Sequence, residues 1–312
     1  MKLSQMRSSG IHHILLFGPP KVGKSKLAGG LAKKFKILWF DMENGHEVLY
    51  QLSSEEQENI DVIQLPDTRT FPIAIETCLK IVKGGRHEIC EKHGKIGCAV
   101  CKKAGAAFNI VELSALGPDT VVVFDSITQL TNSAIAHITK NQPEDYKLEY
   151  DDWANLGKLM DTFLSAIQNA PYHAVCISHE MEVEMEDGKT KLVATAGTRN
   201  FSRNSAKYFG DVVYCEVKNK KHIAASSTTY ANNILTGSRS GVSIESMDSI
   251  SLLPIFAHNF GSAVAVSAPE SKTETVKEIE TVIPTTPEPT PGVKSSSDLM
   301  AKLAEMRAKK GS

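Results

Sequence analysis

The chain has almost no net charge. Over 312 residues, Lys+Arg 35 against Asp+Glu 36 leave −1. It has no apolar run near the roughly 18 residues that a membrane-spanning helix requires. Its first ten residues, MKLSQMRSSG, lack the apolar core of a signal peptide. Six cysteines without a leader point to a reducing, cytoplasmic compartment and to free thiols rather than disulfides. Aromatics make up only 6%, and none follows Phe260. What remains is ordinary: 41% hydrophobic and 23% charged residues are globular values, which exclude a wholly disordered chain, a collagen-like chain and a disulfide miniprotein. The balanced charge argues against a nucleic-acid partner on average, but an average hides local segments.

Residues 1–265 alternate apolar strands and helices. HHILLF (12–17), KILWF (36–40), DVIQL (61–65), TVVVF (120–124), HAVCIS (173–178) and DVVYCEV (211–217) read as strands. Lys24–Lys34, residues 70–83 and Trp153–Ala170 read as helices, and Tyr230–Ile244 as a hairpin turning at Gly237–Gly241. TVVVF is almost wholly β-branched, which suits a central parallel strand buried on both faces. This order predicts an α/β domain with a mostly parallel sheet. Residues 266–296 are Pro-, Thr-, Glu-, Lys- and Ser-rich and read as a disordered linker that cannot bury enough apolar surface to offset its ordering entropy. Residues 297–312 carry Leu299, Leu303 and Met306 at helical spacing and read as a short helix.

Gly18-Pro19-Pro20-Lys21-Val22-Gly23-Lys24-Ser25 fits G-x-x-x-x-G-K-[ST], after a predicted strand and opening a predicted helix. Such a loop closes backbone N–H groups around phosphate oxygens, and the following helix N-terminus adds a favourable dipole. Lys24 is expected at the β- and γ-phosphates of ATP, Ser25 at Mg²⁺, and Lys26 beside them. VVVFD ends at Asp125, a carboxylate placed to serve the same Mg²⁺. Asp41-Met42-Glu43 follows KILWF. Glu43 is the candidate that positions the attacking water. Asp41 is expected to be structural or in the metal shell.

Between residues 85 and 104 lies an insertion with Cys90-x-x-His93 and Cys98-x-x-Cys101, two pairs with the spacing of a tetrahedral, structural Zn²⁺ site. His87, three residues before Cys90, is an alternative fourth ligand. Cys78, Cys176 and Cys215 sit on apolar patterns and read as buried small hydrophobes. Residues 189–222 hold eight lysines and arginines against Asp211 and Glu216, a local charge of +6 inside the chain of −1. Phosphate-backbone binding depends on such local density.

The ordered set Gly18–Ser25, Asp41-Met42-Glu43, Val121–Ser126, Ser178-His179 and Ala196–Arg203 resembles the RecA-like ATPases. GPPKVGKS and DMENG look most like phage-encoded nucleotide-binding proteins, the Sak-type single-strand annealing ATPases. The resemblance covers about residues 10–225. It implies a RecA-like P-loop core in which Glu43 is the catalytic carboxylate and His179 the polar sensor of the γ-phosphate. It implies that Lys218 and Lys220 reach a neighbouring subunit's ATP. The stretch TAGTRNFSRNSAKYF, read as a mobile loop, would bind single-stranded DNA, with Arg199, Arg203 and Lys207 on phosphates and Phe201 stacked on a base. The function so implied is ATP-dependent annealing or strand exchange in phage recombination, in the host cytoplasm. The expected partners are DNA, further copies in a ring or filament, and a single-strand-binding protein at the C-terminal tail. The alternatives are a RecA-fold helicase or translocase, and a nucleotide-switch adaptor that recruits a partner through the C-terminal helix.

Overall fold

Alternate side chains along each central strand enter different cores. Ile14 and Leu16 pack on one side of the sheet with Ile37, Trp39, Val121, Val123, Val175, Ile177 and Val213. Leu15 and Phe17 pack on the other with Phe40, Val122, Phe124, Ala174 and Cys176. A strand buried on both faces must be apolar at consecutive positions, which is why these runs read as nearly unbroken hydrophobic segments. The computed structural model describes residues 10–228, 230–242, 244 and 250–257. All of them belong to the unit Met1–Ala263. The expected linker at 266–296 and helix at 297–312 lie outside the described residues.

The strands are β1 (His13–Gly18), β2 (Lys36–Asp41), β3 (Ile60–Gln64), β4 (His87–Cys90), β5 (Phe108–Val111), β6 (Thr120–Asp125), β7 (His173–Glu184), β8 (Thr190–Ala194), β9 (Asp211–Lys218), β10 (Lys221–Ala225) and β11 (Gly237–Ser238). The α-helices are α1 (Lys24–Gly29), α2 (Ser54–Glu58), α3 (Ile73–Ile81), α4 (Ala99–Lys103), α5 (Ile127–Thr139), α6 (Tyr150–Gln168), α7 (Arg199–Asn204) and α8 (Leu253–Ala257). The main sheet runs β10-β9-β1-β7-β6-β2-β3, parallel from β9 to β3, with β10 and β11 antiparallel to β9 and β8 antiparallel to β7. This is an α/β P-loop NTPase fold with a mixed sheet. Buried residues of α3, α5 and α6 join one core, and those of α1 and α8 the other.

Three expectations are corrected. The helix after the phosphate loop stops at Gly29 and tightens into a 3₁₀ turn at Gly30–Lys33. A Cβ at Gly29 would meet Leu49 Cδ2 at 2.7 Å, so this glycine lets the 3₁₀ segment His46–Gln51 pack against α1. Among the described residues of 230–244 no hairpin forms. Gly237–Ser238 instead joins β9, and Asp211 accepts hydrogen bonds from the hydroxyls of Ser238 and Ser240. The hairpin lies earlier, between β9 and β10, where Asn219 (φ 52) and Lys220 (φ 62) both take left-handed backbone, as a two-residue turn of the type that matches strand twist requires. Finally, the expected mobile loop at 195–209 contains the helix α7 and a 3₁₀ turn at Ser205–Tyr208. Thr198 caps α7 by accepting from the Phe201 amide at 3.2 Å.

Candidate active site

The parallel register brings the chemistry to one edge. Gly18 of β1 lies opposite His179 of β7, and Asp41 of β2 lies opposite Asp125 of β6. Gly18, Asp41 and Asp125 end their strands, and His179 is where the parallel pairing of β7 with β1 stops, the edge at which ligands bind in open α/β sheets. β7 separates the phosphate-loop strand from the Asp125 strand.

Gly18 turns at φ +148, and a Cβ there would lie 2.0 Å from the Cys215 carbonyl oxygen, so only glycine fits. Gly23 (φ +92) and Lys21 (φ 64) complete the loop, with Pro19 and Pro20 between and Val22 buried beneath. Lys24 is buried and donates to the carbonyls of Gly18 (3.0 Å) and Pro19 (2.6 Å). Burial lowers its pKa, opposed by nearby Cys215, Asp125 and Glu43. Ser25 Oγ donates to Asp125 Oδ2 at 2.7 Å. Burial pushes the Asp125 carboxyl up to about 7, and the neighbouring Glu43 and Asp41 carboxylates push the same way. The hydroxyl and the carboxylate that would hold a divalent cation are thus already in contact, and a cation there would offset the burial of the Asp125 charge. The residues fit Mg²⁺. Lys26 departs from expectation: it is exposed and donates to Gln51 Oε1 at 3.2 Å.

Glu43 stands beside this pair. Its carboxylate accepts from Ser126 Oγ and lies 3.3 Å from His179 Nε2. Ser126 also caps α5, accepting from the Gln129 amide. The His179 amide donates to Thr128 Oγ1 at 2.8 Å. His179 is therefore fixed at its backbone and meets Glu43 through its ring. Asp41 is structural here. It is buried, and its carboxylate accepts from the amides of Glu43, Gly45 and His46 and from His46 Nδ1.

Sequence reasoning missed His46, Thr128 and His222. His222 Nδ1 lies 2.9 Å from the Val22 carbonyl oxygen, which ties β10 to the phosphate loop. Finding it required knowing that β9 and β10 form the hairpin. Lys218 ends β9 and Lys220 sits in the turn, both exposed to solvent.

The basic segment is redistributed. Lys189 and Lys191 lie in the β7–β8 hairpin with Glu182, Glu184, Glu186 and Asp187, and Lys189 Nζ is 3.4 Å from Asp187. A window starting at residue 189 cuts this acidic hairpin in half, so its two lysines leave the basic patch. Arg199 is exposed on α7, and Lys207 lies over the Tyr208 ring, 4.7 Å from its centroid. The Phe201 ring is half-buried, packs on the core and stacks on Tyr208, so here it faces protein and not an open groove. Arg203 Nε is buried with no hydrogen-bond partner among the described residues.

Away from the strand ends, Cys90, His93, Cys98 and Cys101 converge, with their ligand atoms all within 4.8 Å of one another. His93 Nδ1 lies 3.9, 3.6 and 3.2 Å from the sulfurs of Cys90, Cys98 and Cys101. His87 is turned away, with its Nε2 3.1 Å from the Gly84 carbonyl oxygen. The cluster could hold a metal ion, and its donor set and spacing suit zinc. The Cys101 amide and His93 pull the Cys98 thiol down to about 6, toward the thiolate a metal takes. Gly94 (φ +63) seats the insertion, since a Cβ would lie 2.5 Å from the Gln64 carbonyl oxygen. Cys78, Cys176 and Cys215 are buried, as expected.

Residues 12–239 match the family described as an AAA domain. The chain belongs to that family. It is an ATP-hydrolysing P-loop NTPase domain. No curated protein sequence matches it. Among solved structures it is similar to a prototypical ATPase from the type III secretion system of pathogenic bacteria, with 14% identity, a TM-score of 0.36, and coverage of 66% of this chain and 52% of that one. It is also similar to a KaiC-like protein from the hyperthermophilic archaeon Pyrococcus horikoshii OT3, with 12% identity, a TM-score of 0.35, and coverage of 70% and 87%. The ATPase thus spans about half the length of the secretion-system protein. No helix among its described residues is long and apolar enough to cross a membrane.

Proposed function

We propose that this ATPase couples ATP hydrolysis to single-stranded DNA, as a RecA-type annealing or strand-exchange protein of phage DNA metabolism. The observation that carries the reading is the Glu43–His179 contact and what lies behind it. Glu43 comes from the end of β2, while the residue after Asp125 is a serine. On this reading Glu43 would be the catalytic carboxylate, in the placement that the resemblance to RecA-like ATPases implies. Glu43 would orient the attacking water, and Ser25 and Asp125 would hold Mg²⁺, which supplies charge neutralisation on the phosphates when bound.

His179 supports the coupling to DNA. Its carbonyl accepts from the Thr195 amide at 2.9 Å, and Ser178 Oγ donates to the Thr195 carbonyl at 2.8 Å. One residue on, the Ala196 amide donates to Ser202 Oγ in α7 at 3.0 Å. The residue whose ring meets Glu43 is therefore, through its backbone, two hydrogen bonds from the helix that carries Arg199 and Arg203. On this reading Arg199, Arg203 and Lys207 contact phosphates, and Phe201 reaches a base only if α7 moves its ring off Tyr208. Lys218 and Lys220 would act across an interface between copies, and the tail would meet a single-strand-binding protein. Cys90, His93, Cys98 and Cys101 would hold a structural zinc ion.

The test is ATP turnover with and without single-stranded DNA across a salt series. Stimulation is expected, and the DNA-binding constant read from half-maximal stimulation should fall with salt at a log–log slope of about −0.7 per phosphate contact. Arg199→Ala should make the slope shallower. Single-stranded DNA that neither binds nor changes turnover would remove the recombination reading and favour the adaptor.

A further inference from the structure

The Asp41 side chain is fully shielded from solvent, yet its carboxylate has four donors, all from the loop that follows it. The amides of Glu43 (3.1 Å) and Gly45 (3.0 Å) meet Oδ1, and the amide (3.3 Å) and Nδ1 (2.6 Å) of His46 meet Oδ2. The loop is wound around the carboxylate, with Asn44 at φ 55 making the turn. Glu43 leaves this loop, and its side chain ends at Ser126 and His179.

Asp41 lies opposite Asp125 in the sheet register, and the Asp41 and Glu43 carboxylates both raise the pKa of Asp125. Three acids therefore share one strand edge. Among the described residues, His46 is the side chain that hydrogen-bonds the Asp41 carboxylate. Removing the Nδ1 donor would leave a buried carboxylate oxygen short of a hydrogen-bond partner, which the structure must relax to satisfy. The element that can relax is the loop, and Glu43 moves with it.

We propose that His46 is a positioning residue for ATP hydrolysis: it pins Asp41, and Asp41 holds the Glu43 backbone so that the Glu43 carboxylate stays between Ser126 and His179. This rests on the reading of Glu43 as the water-orienting group. His46 itself touches no reacting atom.

The experiment compares kcat with the ATP dissociation constant for His46→Leu, His46→Asn and Glu43→Gln in the full chain, each checked for folding by circular dichroism. His46→Leu should lower kcat about 10²-fold, the cost of misplacing a reacting group by roughly 1 Å, with ATP affinity within about twofold. His46→Asn should recover at least about tenfold of that loss, because its amide N–H takes the place of Nδ1–H. Should His46→Leu not fold, His46→Ala stands in for it. The proposal is overturned if kcat stays within about twofold in the apolar variant, if affinity and kcat fall together, or if asparagine restores nothing. Normal turnover in Glu43→Gln would instead remove the reading on which the proposal rests. An inactive Glu43→Gln beside an active His46→Leu removes His46 alone.

Discussion

Ser25 and Asp125, one hundred positions apart, share a 2.7 Å hydrogen bond at the foot of the phosphate loop. The hydroxyl comes from the first turn of α1 and the carboxylate from the end of β6, and β7 lies between β6 and β1 in the sheet. The two are brought together because parallel strands end at one edge. Ser25→Ala should weaken Mg²⁺-dependent nucleotide binding by about tenfold, the scale of one hydrogen bond to a charged group. Asp125→Asn should abolish Mg²⁺-stimulated turnover. Equilibrium nucleotide binding with and without Mg²⁺ checks both, and equal losses in the absence of Mg²⁺ would count against a metal role.

Lys24 and Glu43 should separate binding from chemistry. Lys24 is buried beneath the loop and donates to the Gly18 and Pro19 carbonyls, which a bound phosphate would replace. Lys24→Ala should lose ATP binding and turnover together. Glu43→Gln keeps the shape but loses the base, so ATP affinity should persist while kcat falls about 10²- to 10⁴-fold. Unaltered turnover in Glu43→Gln would remove this residue from the mechanism.

The metal prediction discriminates between two histidines. His93 faces three sulfurs and His87 faces the Gly84 carbonyl. Elemental analysis of purified protein should find about one zinc per chain, lost in His93→Ala and Cys98→Ser but kept in His87→Ala. Thermal unfolding should follow the metal content, at roughly 2–4 °C per kcal/mol lost for a domain of this size. Zinc retained in His93→Ala would return His87 to the ligand set.

The phosphate loop, Asp125 and Glu43 were legible because each is a local pattern: a strand, a short spacing, then a turn. The strands were legible because burial on two faces demands β-branched runs such as TVVVF. His46 and Thr128 were not, since nothing near them in sequence shows that they meet Asp41 and the His179 amide. The β9–β10 hairpin was hidden because its turn is Asn219-Lys220, with no glycine to mark two left-handed residues. α7 was hidden because a short helix capped by Thr198 has the Ser/Asn composition of a loop. The charge window failed for a related reason: β7 runs on past His179 as an acidic arm that pairs with β8, and only strand pairing shows that Lys189 belongs to it.

At the opposite end of the sheet, histidines make stability depend on pH. His13 Nε2 donates to the Tyr172 carbonyl, and His173 Nε2 to the Pro118 carbonyl, while His173 Nδ1 accepts from the His12 amide. That amide fixes His173 as neutral, and its ring stacks on His12 and packs against Phe35 and Phe256 of α8. Burial lowers the pKa of both His13 and His173 below the ordinary 6.5, and like charge on His12 would add to the effect at His173. A histidine held neutral contributes stability that is fully present above its unfolded value and is lost as pH falls through 6.5 toward the folded value, because the unfolded chain then binds more protons. These two histidines should therefore remove stability between pH 7.5 and 5.5, while Asp125, raised to about 7, takes up its proton in the folded state and adds stability over the same range. His173→Gln keeps hydrogen-bonding capacity without titrating, as does His13→Gln. The double variant should be less stable at pH 7.5 but show a shallower loss on acidification. An unchanged slope would assign the acid sensitivity to other groups.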